Sequence, residues 1–360
     1  MAYRNTPYFV NLNGGFSGFN NPGGRVFWVA ASGYTSADGI GPSDSNSGTS
    51  PQQPFSTIQK GLDSCTSGRG DIVAVLPGSY TLSAALTMTS ADVTLCSAHP
   101  VAAGQYSPVI ITAAASYTLN MIQVDADNCK IIGLGFEAGI TGATDSEIIQ
   151  LNSTNAASDI FGPVVANCFF DMTRAAGAAN AAAADLDCIR VGLDASDRAW
   201  NAVITGNTIR GCDQDAISVE VGSGGVLIEG NHIYDGIGSE LTRNGVRILA
   251  LGVRVVNNRI MVGTNSDTVA CVAVNVAAAK AVVQDNRLIA WGADTCAITV
   301  VNTATLWSHA NFILAVATGN TIDYKTSATT PSANIDFQNW TNTNPILGTF
   351  SNPSVDGTIS

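Results

Sequence analysis

Apolar and polar residues alternate in short bursts along this chain, and the bursts recur. AVITGNTI (202–209), VLIEGNHI (226–233), VRVVNNRI (253–260), AVVQDNRL (281–288) and AVATGNTI (315–322) share one frame: apolar, any, apolar, two of any kind, Asn, any, apolar. The asparagines are Asn207, Asn231, Asn258, Asn286 and Asn320, and repeats of about 24 to 34 residues mark a solenoid or an array. Upstream, PVVANCFF and CKIIGLGF keep the frame with Cys168 and Leu134 in the asparagine's place. A second element precedes each repeat. DCIRV (187–191), DAISV (215–219), NGVRI (244–248), CVAVNV (271–276), CAITV (296–300) and NIDF (334–337) alternate with the period of two that a strand requires.

Two or three short strands per repeat, with no helical periodicity, predict an all-β parallel β-helix of about nine or ten coils. One coil cannot bury its own apolar face, so neighbouring coils share a continuous core in which Ile189, Ile217 and Val246 stack as equivalents. The asparagines are expected at the bend itself, in left-handed backbone, with their side chains hydrogen-bonded into a ladder along the axis.

Three regions follow from the pattern. Residues 1–50, rich in Gly, Asn and Ser, read as an extended arm or attachment segment, and residues 51–325 as the solenoid. Within it, PFSTIQKGLDSC (54–65) spaces Phe55, Ile58 and Leu62 as a short amphipathic helix that caps the open end. Residues 326–360 read as a cap or assembly tail.

Composition narrows the function classes. The 360 residues are 46% hydrophobic and only 12% charged, the reverse of a disordered chain. Sixteen Lys and Arg against 28 Asp and Glu give a net charge of −12, which repels nucleic acid and anionic lipid surfaces alike. The eight cysteines include no CxxC pair and read as buried free thiols. No secretory leader and no membrane-spanning run is expected.

Aligning the coils gathers acids. Asp187 and Asp215 each stand two residues before the inward isoleucine of their strand, Asp185 and Asp213 two residues earlier, and Asp145 and Glu147 of DSEIIQL fit the same frame. Stacked about 4.8 Å apart, six carboxylates in two columns would raise one another's proton affinity or recruit a cation such as Ca²⁺. They would equally supply an acid/base pair for glycoside cleavage through Asp187, Asp213 and Asp215, whereas Asp before a strand is also ordinary turn chemistry. Trp200, Trp291, Trp307 and Trp340 are candidates for stacking on sugars or packing at coil edges. The histidines, His99, His232 and His309, are scattered, and His232 is expected to point outward.

The stretch GTSPQQPFSTIQKGLDSCTSGRGDIVAVLPGSYT (48–81), with LTMTSADVTLCSA and DNCKIIGLGF after it, resembles the opening of the pectate-lyase-like right-handed β-helix superfamily. The Ala-, Gly- and Thr-rich body looks more narrowly like β-helix proteins of tailed-phage virions. The resemblance implies a right-handed helix and a carbohydrate-linked or structural role, on a fold that hosts many functions. The Gly-His-Gly and Arg-x-Lys motifs of the polygalacturonase branch are absent. The pectate-lyase branch sets a basic residue beside calcium; Arg190, and Arg247 at the matching outward site three coils on, are the nearby candidates. Three functions are expected in turn: a structural virion protein (capsid-decorating, fibre or spike), a tailspike-type polysaccharide depolymerase, and a non-catalytic carbohydrate-binding adhesin. A homo-oligomer, most simply a trimer, on the virion surface completes the expectation, with other virion proteins and a host glycan as partners and no cofactor required beyond an optional Ca²⁺.

Overall fold

The computed structural model describes residues 23–99, 104–114, 120–137, 147–152, 159–172, 187–211, 214–234, 244–263, 270–274, 280–291, 296–300, 305–315, 322–326 and 338–341, together with two short antiparallel strands, Phe9–Asn11 and Gly15–Ser17. Its strands wind into a right-handed parallel β-helix with three faces. The first face is a nine-stranded sheet running from Leu86–Met88 through Ile122–Val124, Ile149–Leu151, Ile189–Val191, Ile217–Val219 and Val246–Ile248 to Ile322–Thr326. The second passes through Ile72–Val75, Thr94–Ser97, Val203–Thr205 and Lys280–Gln284, and the third through Val109–Ala113, Phe169–Asp171, His232–Tyr234 and Arg287–Trp291. Among the described residues no helix is long and apolar enough to cross a membrane.

Register keeps identical positions stacked. Ile149 pairs with Ile189, Ile189 with Ile217 and Ile217 with Val246, all fully buried. Each such side chain withdrawn from water contributes about 1.5–3 kcal/mol, and one apolar core runs from Phe27 to Leu306.

The turn between the second and third faces divides its work between two residues. Left-handed backbone falls on Gly133, Asn167, Gly206, Gly230, Asn257 and Asp285, and the residue after each turns its side chain into the coil. The ladder asparagines are therefore not the left-handed residues: Asn207, Asn231, Asn258 and Asn286 each follow one, and each is 1–2% exposed. The amide of one rung gives its Nδ2 to the Oδ1 of the next, from Asn207 to Asn231, Asn258, Asn286 and Asn311 at 2.9–3.0 Å. Asn311, not Asn320, takes the rung beside Asn286; Asn320 lies outside the described residues. The frame was hidden there because Ser308 occupies an apolar position, and its Oγ accepts from Asn311 Nδ2 at 3.0 Å.

The ends also differ from the pattern. Val26–Val29 pairs in parallel with Ile72–Val75, and Phe27 and Val29 join the core, so the first coil begins well before residue 50. Gln338–Thr341 pairs with Thr305–Ala315, which carries the stack past residue 325. A six-residue helix, Ile58–Asp63, is capped by Thr57 and buries Ile58 and Leu62. Its Gly61 lies so close to the first strands that a Cβ would stand 2.8 Å from Val73 Cγ1 and 3.1 Å from Val29 Cγ2.

Candidate functional site

The acids two residues before the inward isoleucines do form a column. Glu147, Asp187 and Asp215 share one register position on the first face, extended by Asn120 at one end and Asn244 at the other. It behaves as a second ladder. Glu147 N donates to Asn120 Oδ1 (2.9 Å), Asp215 N to Asp187 Oδ1 (3.0 Å), Asn244 N and Nδ2 to Asp215 Oδ1 (2.8 and 2.9 Å), and Ala270 N to Asn244 Oδ1 (3.1 Å). Asp145, Asp185 and Asp213, the other half of the expected cluster, lie outside the described residues.

Three positions further along each strand the side chains turn outward. There Gln123, Gln150, Arg190, Ser218 and Arg247 stack in register on five successive coils, so Arg190 and Arg247 are two coils apart rather than three. Between them stands Glu220, which the alternation Ser218–Glu220 also turns outward and which the alignment of acids missed. Arg190 Nη1 meets Glu147 Oε1 at 2.7 Å and its Nε lies 3.4 Å from Glu220 Oε1. Arg247 places Nε 2.6 Å from Asp215 Oδ2 and Nη2 2.7 Å from Glu220 Oε1. Ser218 Oγ donates to Glu220 Oε1 at 2.7 Å and accepts from Arg247 Nε at 3.2 Å.

This is a polar layer outside the apolar core, yet it is itself closed to water. Glu147, Asp187, Asp215, Ser218 and Glu220 are all under a tenth exposed, while the two guanidinium side chains keep 15% and 21%. Four carboxyl groups facing two guanidiniums cannot all ionise cheaply in such a place. The strain settles on Asp187. Burial first, then the Asp215 charge and more weakly Glu147, raise it well above the ordinary carboxylate range, against the opposing pull of Arg247 and Arg190. For Arg190, burial opposes the charged form but Glu147 and then Glu220 outweigh it, so it is held more firmly protonated.

Chemically, the arrangement offers one carboxyl group, Asp187, whose proton is held more firmly than that of an ordinary carboxylic acid, beside carboxylates already engaged. Asp215 has Oδ1 bound by Asn244 and Oδ2 by Arg247, so it faces a guanidinium rather than an open cleft. Among the described residues no three His, Cys, Asp or Glu side chains converge as metal ligands. Of the aromatic candidates, Trp200 packs at a coil edge, its Nε1 donating to Asp159 Oδ2 at 3.0 Å with the Arg198 guanidinium over its ring. The side chains of Trp291, Trp307, Trp340 and His309 lie outside the described set. His99 is exposed, and His232 is partly buried against Tyr234.

No protein-family model matches the sequence, and no curated protein matches it. Among solved structures the chain is similar to an alginate lyase from Paenibacillus sp. at TM-score 0.50 and 17% identity, over 75% of this chain and 95% of that one. It is also similar to the tailspike protein of E. coli bacteriophage HK620, solved with a pentasaccharide, at TM-score 0.50 and 13% identity over 82% and 53%. A third likeness is to ORF18 of Geobacillus virus E2, at TM-score 0.49 and 10% identity over 79% and 57%. The chain spans a little over half the length of the two phage proteins. At these identities the likeness establishes the fold alone, a right-handed parallel β-helix.

Proposed function

We propose that this chain is the β-helix of a tailed-phage virion protein that works in attachment to host-surface polysaccharide, without turning that polysaccharide over. The observation that carries this reading is the commitment of the acid column. Asp215 and Glu220 are bound by Arg247, Glu147 is bound by Arg190, and the column continues at both ends as an asparagine ladder. Carboxylates held in this way stiffen a scaffold and are poorly placed to attack a sugar carbon or activate a water. The likeness to a tailspike solved with a pentasaccharide supports a glycan as ligand. A homotrimer is part of the proposal, since long β-helices bury low-charge flanks against one another.

One observation favours a second reading, a tailspike-type depolymerase. The upward shift of Asp187, from burial and then the Asp215 charge, is the direction a general acid needs. A panel of bacterial surface polysaccharides separates the two. Retention of the purified chain on at least one glycan, with no new reducing ends and no unsaturated product, supports attachment. Product formation abolished by Asp187→Asn establishes the depolymerase. Failure to bind any glycan, together with a monomeric mass in light scattering, overturns the attachment reading.

A further inference from the structure

Among the described residues five large apolar side chains stand exposed, and four of them lie at one corner, the turn from the first face to the second. Phe161, Leu193, Val221 and Leu251 are 36–48% exposed, one on each of four successive coils. Phe161, Trp200, Gly224 and Leu251 share a register position there. The Trp200 ring lies across Gly224, where a Cβ would stand 2.8 Å from its Cζ3. The corner is therefore an apolar ridge that runs along the coil axis.

The second face, next to this corner, carries a matching row. Lys130, Val164, Val203, Leu227 and Arg254 occupy one register position on five successive coils. Their strand neighbours Val165, Ile204 and Ile228 are wholly buried, so the row points outward. Lys130 and Arg254 are exposed, and the three apolar residues between them are partly exposed. Phe161 stands on the same coil as Val164, and Trp200 on the same coil as Val203. Charge is divided between the two surfaces. The corner carries Asp127, Asp194, Asp197 and the Asp159–Arg198 pair, whereas the row begins with a lysine and ends with an arginine.

Apolar side chains gathered on an exposed ridge and rimmed by charge mark an interaction surface. The spacing selects the partner. Along the axis the apolar residues recur about every 4.8 Å, whereas an α-helix repeats about every 5.4 Å and a lone strand shows the same side about every 6.8 Å. Only another stack of coils keeps step with all four. We infer that this corner of one copy packs on the second face of the next. Phe161 and Trp200 then meet Val164 and Val203 of the neighbouring copy, and the corner aspartates meet its Lys130. Copies of net charge −12 repel one another, and a seam that sets acids against bases lessens that repulsion. Two unlike surfaces in contact cannot close a two-fold dimer, so the contact repeats around an axis parallel to the coils, and the smallest closed ring is three. The inference rests on the trimeric attachment reading and supplies the contact that such a trimer requires.

The test is sedimentation equilibrium of the full chain. The parent should sediment as three chains, and Phe161→Glu with Leu251→Glu should shift it to one, while an unchanged far-ultraviolet spectrum shows the coils intact. Tyr106→Glu changes the fifth exposed side chain, which packs on Phe169 of the third face, and should leave three chains together. Co-expressed chains bearing Phe161→Cys or Val164→Cys should oxidise to a crosslinked pair that neither variant forms alone, because corner meets face. A trimer that survives both glutamates overturns the inference and leaves the attachment reading standing. Crosslinking of Phe161→Cys to itself also overturns it, since the contact would then be two-fold. A parent chain that stays monomeric at every concentration overturns the inference as well. Glycan retention by that monomer keeps attachment standing, whereas retention on no glycan of a wide panel sinks attachment itself.

Discussion

Asn207 gives both its backbone N–H and its side-chain Nδ2 to a single atom, the Oδ1 of Asn231, at 3.0 Å each. Asn231 does the same to Asn258, and its other Nδ2 proton goes to Ile204 O at 2.9 Å. An inner rung thus satisfies two donors from the coil before it, which buried amides require. Asn207 stands at the end of the run, where its Oδ1 accepts from Cys168 N at 2.9 Å and the neighbour brings no amide side chain.

That asymmetry orders two substitutions. Asn231→Ala strands two buried donors and Asn207→Ala one, so the losses should be about 2–4 and about 1–2 kcal/mol. Denaturant midpoints of the two variants, compared with the parent, check this. Equal losses would mean that cavity formation, rather than the shared oxygen, sets the cost.

Asp187 makes stability depend on pH in a direction opposite to the usual carboxylate. Its folded proton affinity lies above the unfolded value, through burial and then Asp215. The folded state therefore holds a proton that the unfolded state has released, and stability is lost as pH rises from about 4, the unfolded value, toward the folded one. Asp71 runs the other way. Burial alone would raise it, but the Arg69 guanidinium and the backbone N–H groups of Arg25 and Thr66 bring it below the ordinary range, so its contribution is lost as pH falls below about 4. Asp187→Asn keeps the acceptor for Asp215 N, as Asn244 two rungs on accepts from Ala270 N. It should raise the thermal midpoint at pH 8 and flatten the decline above pH 5. A lower midpoint at pH 8 than the parent would refute a raised proton affinity at Asp187.

The repeats and the core were legible because a stacked fold writes the same side chain into every coil: Ile189, Ile217 and Val246 announce themselves by spacing. The Asp187–Asp215 column was legible for the same reason. What escaped lies where a coil departs from the frame. Ser308 broke the apolar signature and hid Asn311, while the first strand, Val26–Val29, has no repeat motif and is fixed by pairing with residues more than forty positions away. The partners of the acids escaped because a guanidinium reaches across coils: Arg190 joins Glu147 on one side to Glu220 on the other, a relation that no single repeat displays.

Removing Arg247 should be costly out of proportion to its exposure. Its guanidinium faces Asp215, which is fully buried, and Glu220, which is 6% exposed. Arg247→Met leaves both carboxylates without that charge, at about 3 kcal/mol, the low end for breaking a buried pair because the arginine itself is partly wet. Adding Asp215→Asn should recover about half of the loss, since one stranded charge is then gone. Additive losses in the double variant, read from chemical unfolding, would show that the pair does not interact.

The thiols report on whether the coils open. Cys96, Cys129, Cys168, Cys188 and Cys271 are free and buried, and Cys65 is partly exposed. Burial pushes Cys96, Cys129 and Cys168 up to about 12, so while the coils stay closed at pH 8 about one in ten thousand is thiolate. Cys168 is the informative one, because it sits where the asparagine ladder ends and its backbone N–H is the last donor to it. Alkylation at pH 8 followed by peptide mass mapping should find these cysteines unmodified in the native chain over times that fully label the denatured chain. If modification occurs, its rate should follow the opening of the surrounding coils, and Asn207→Ala should speed labelling of Cys168 while leaving Cys96 unchanged. Rapid labelling of Cys168 in the parent chain would show that the ladder's end is open without any substitution.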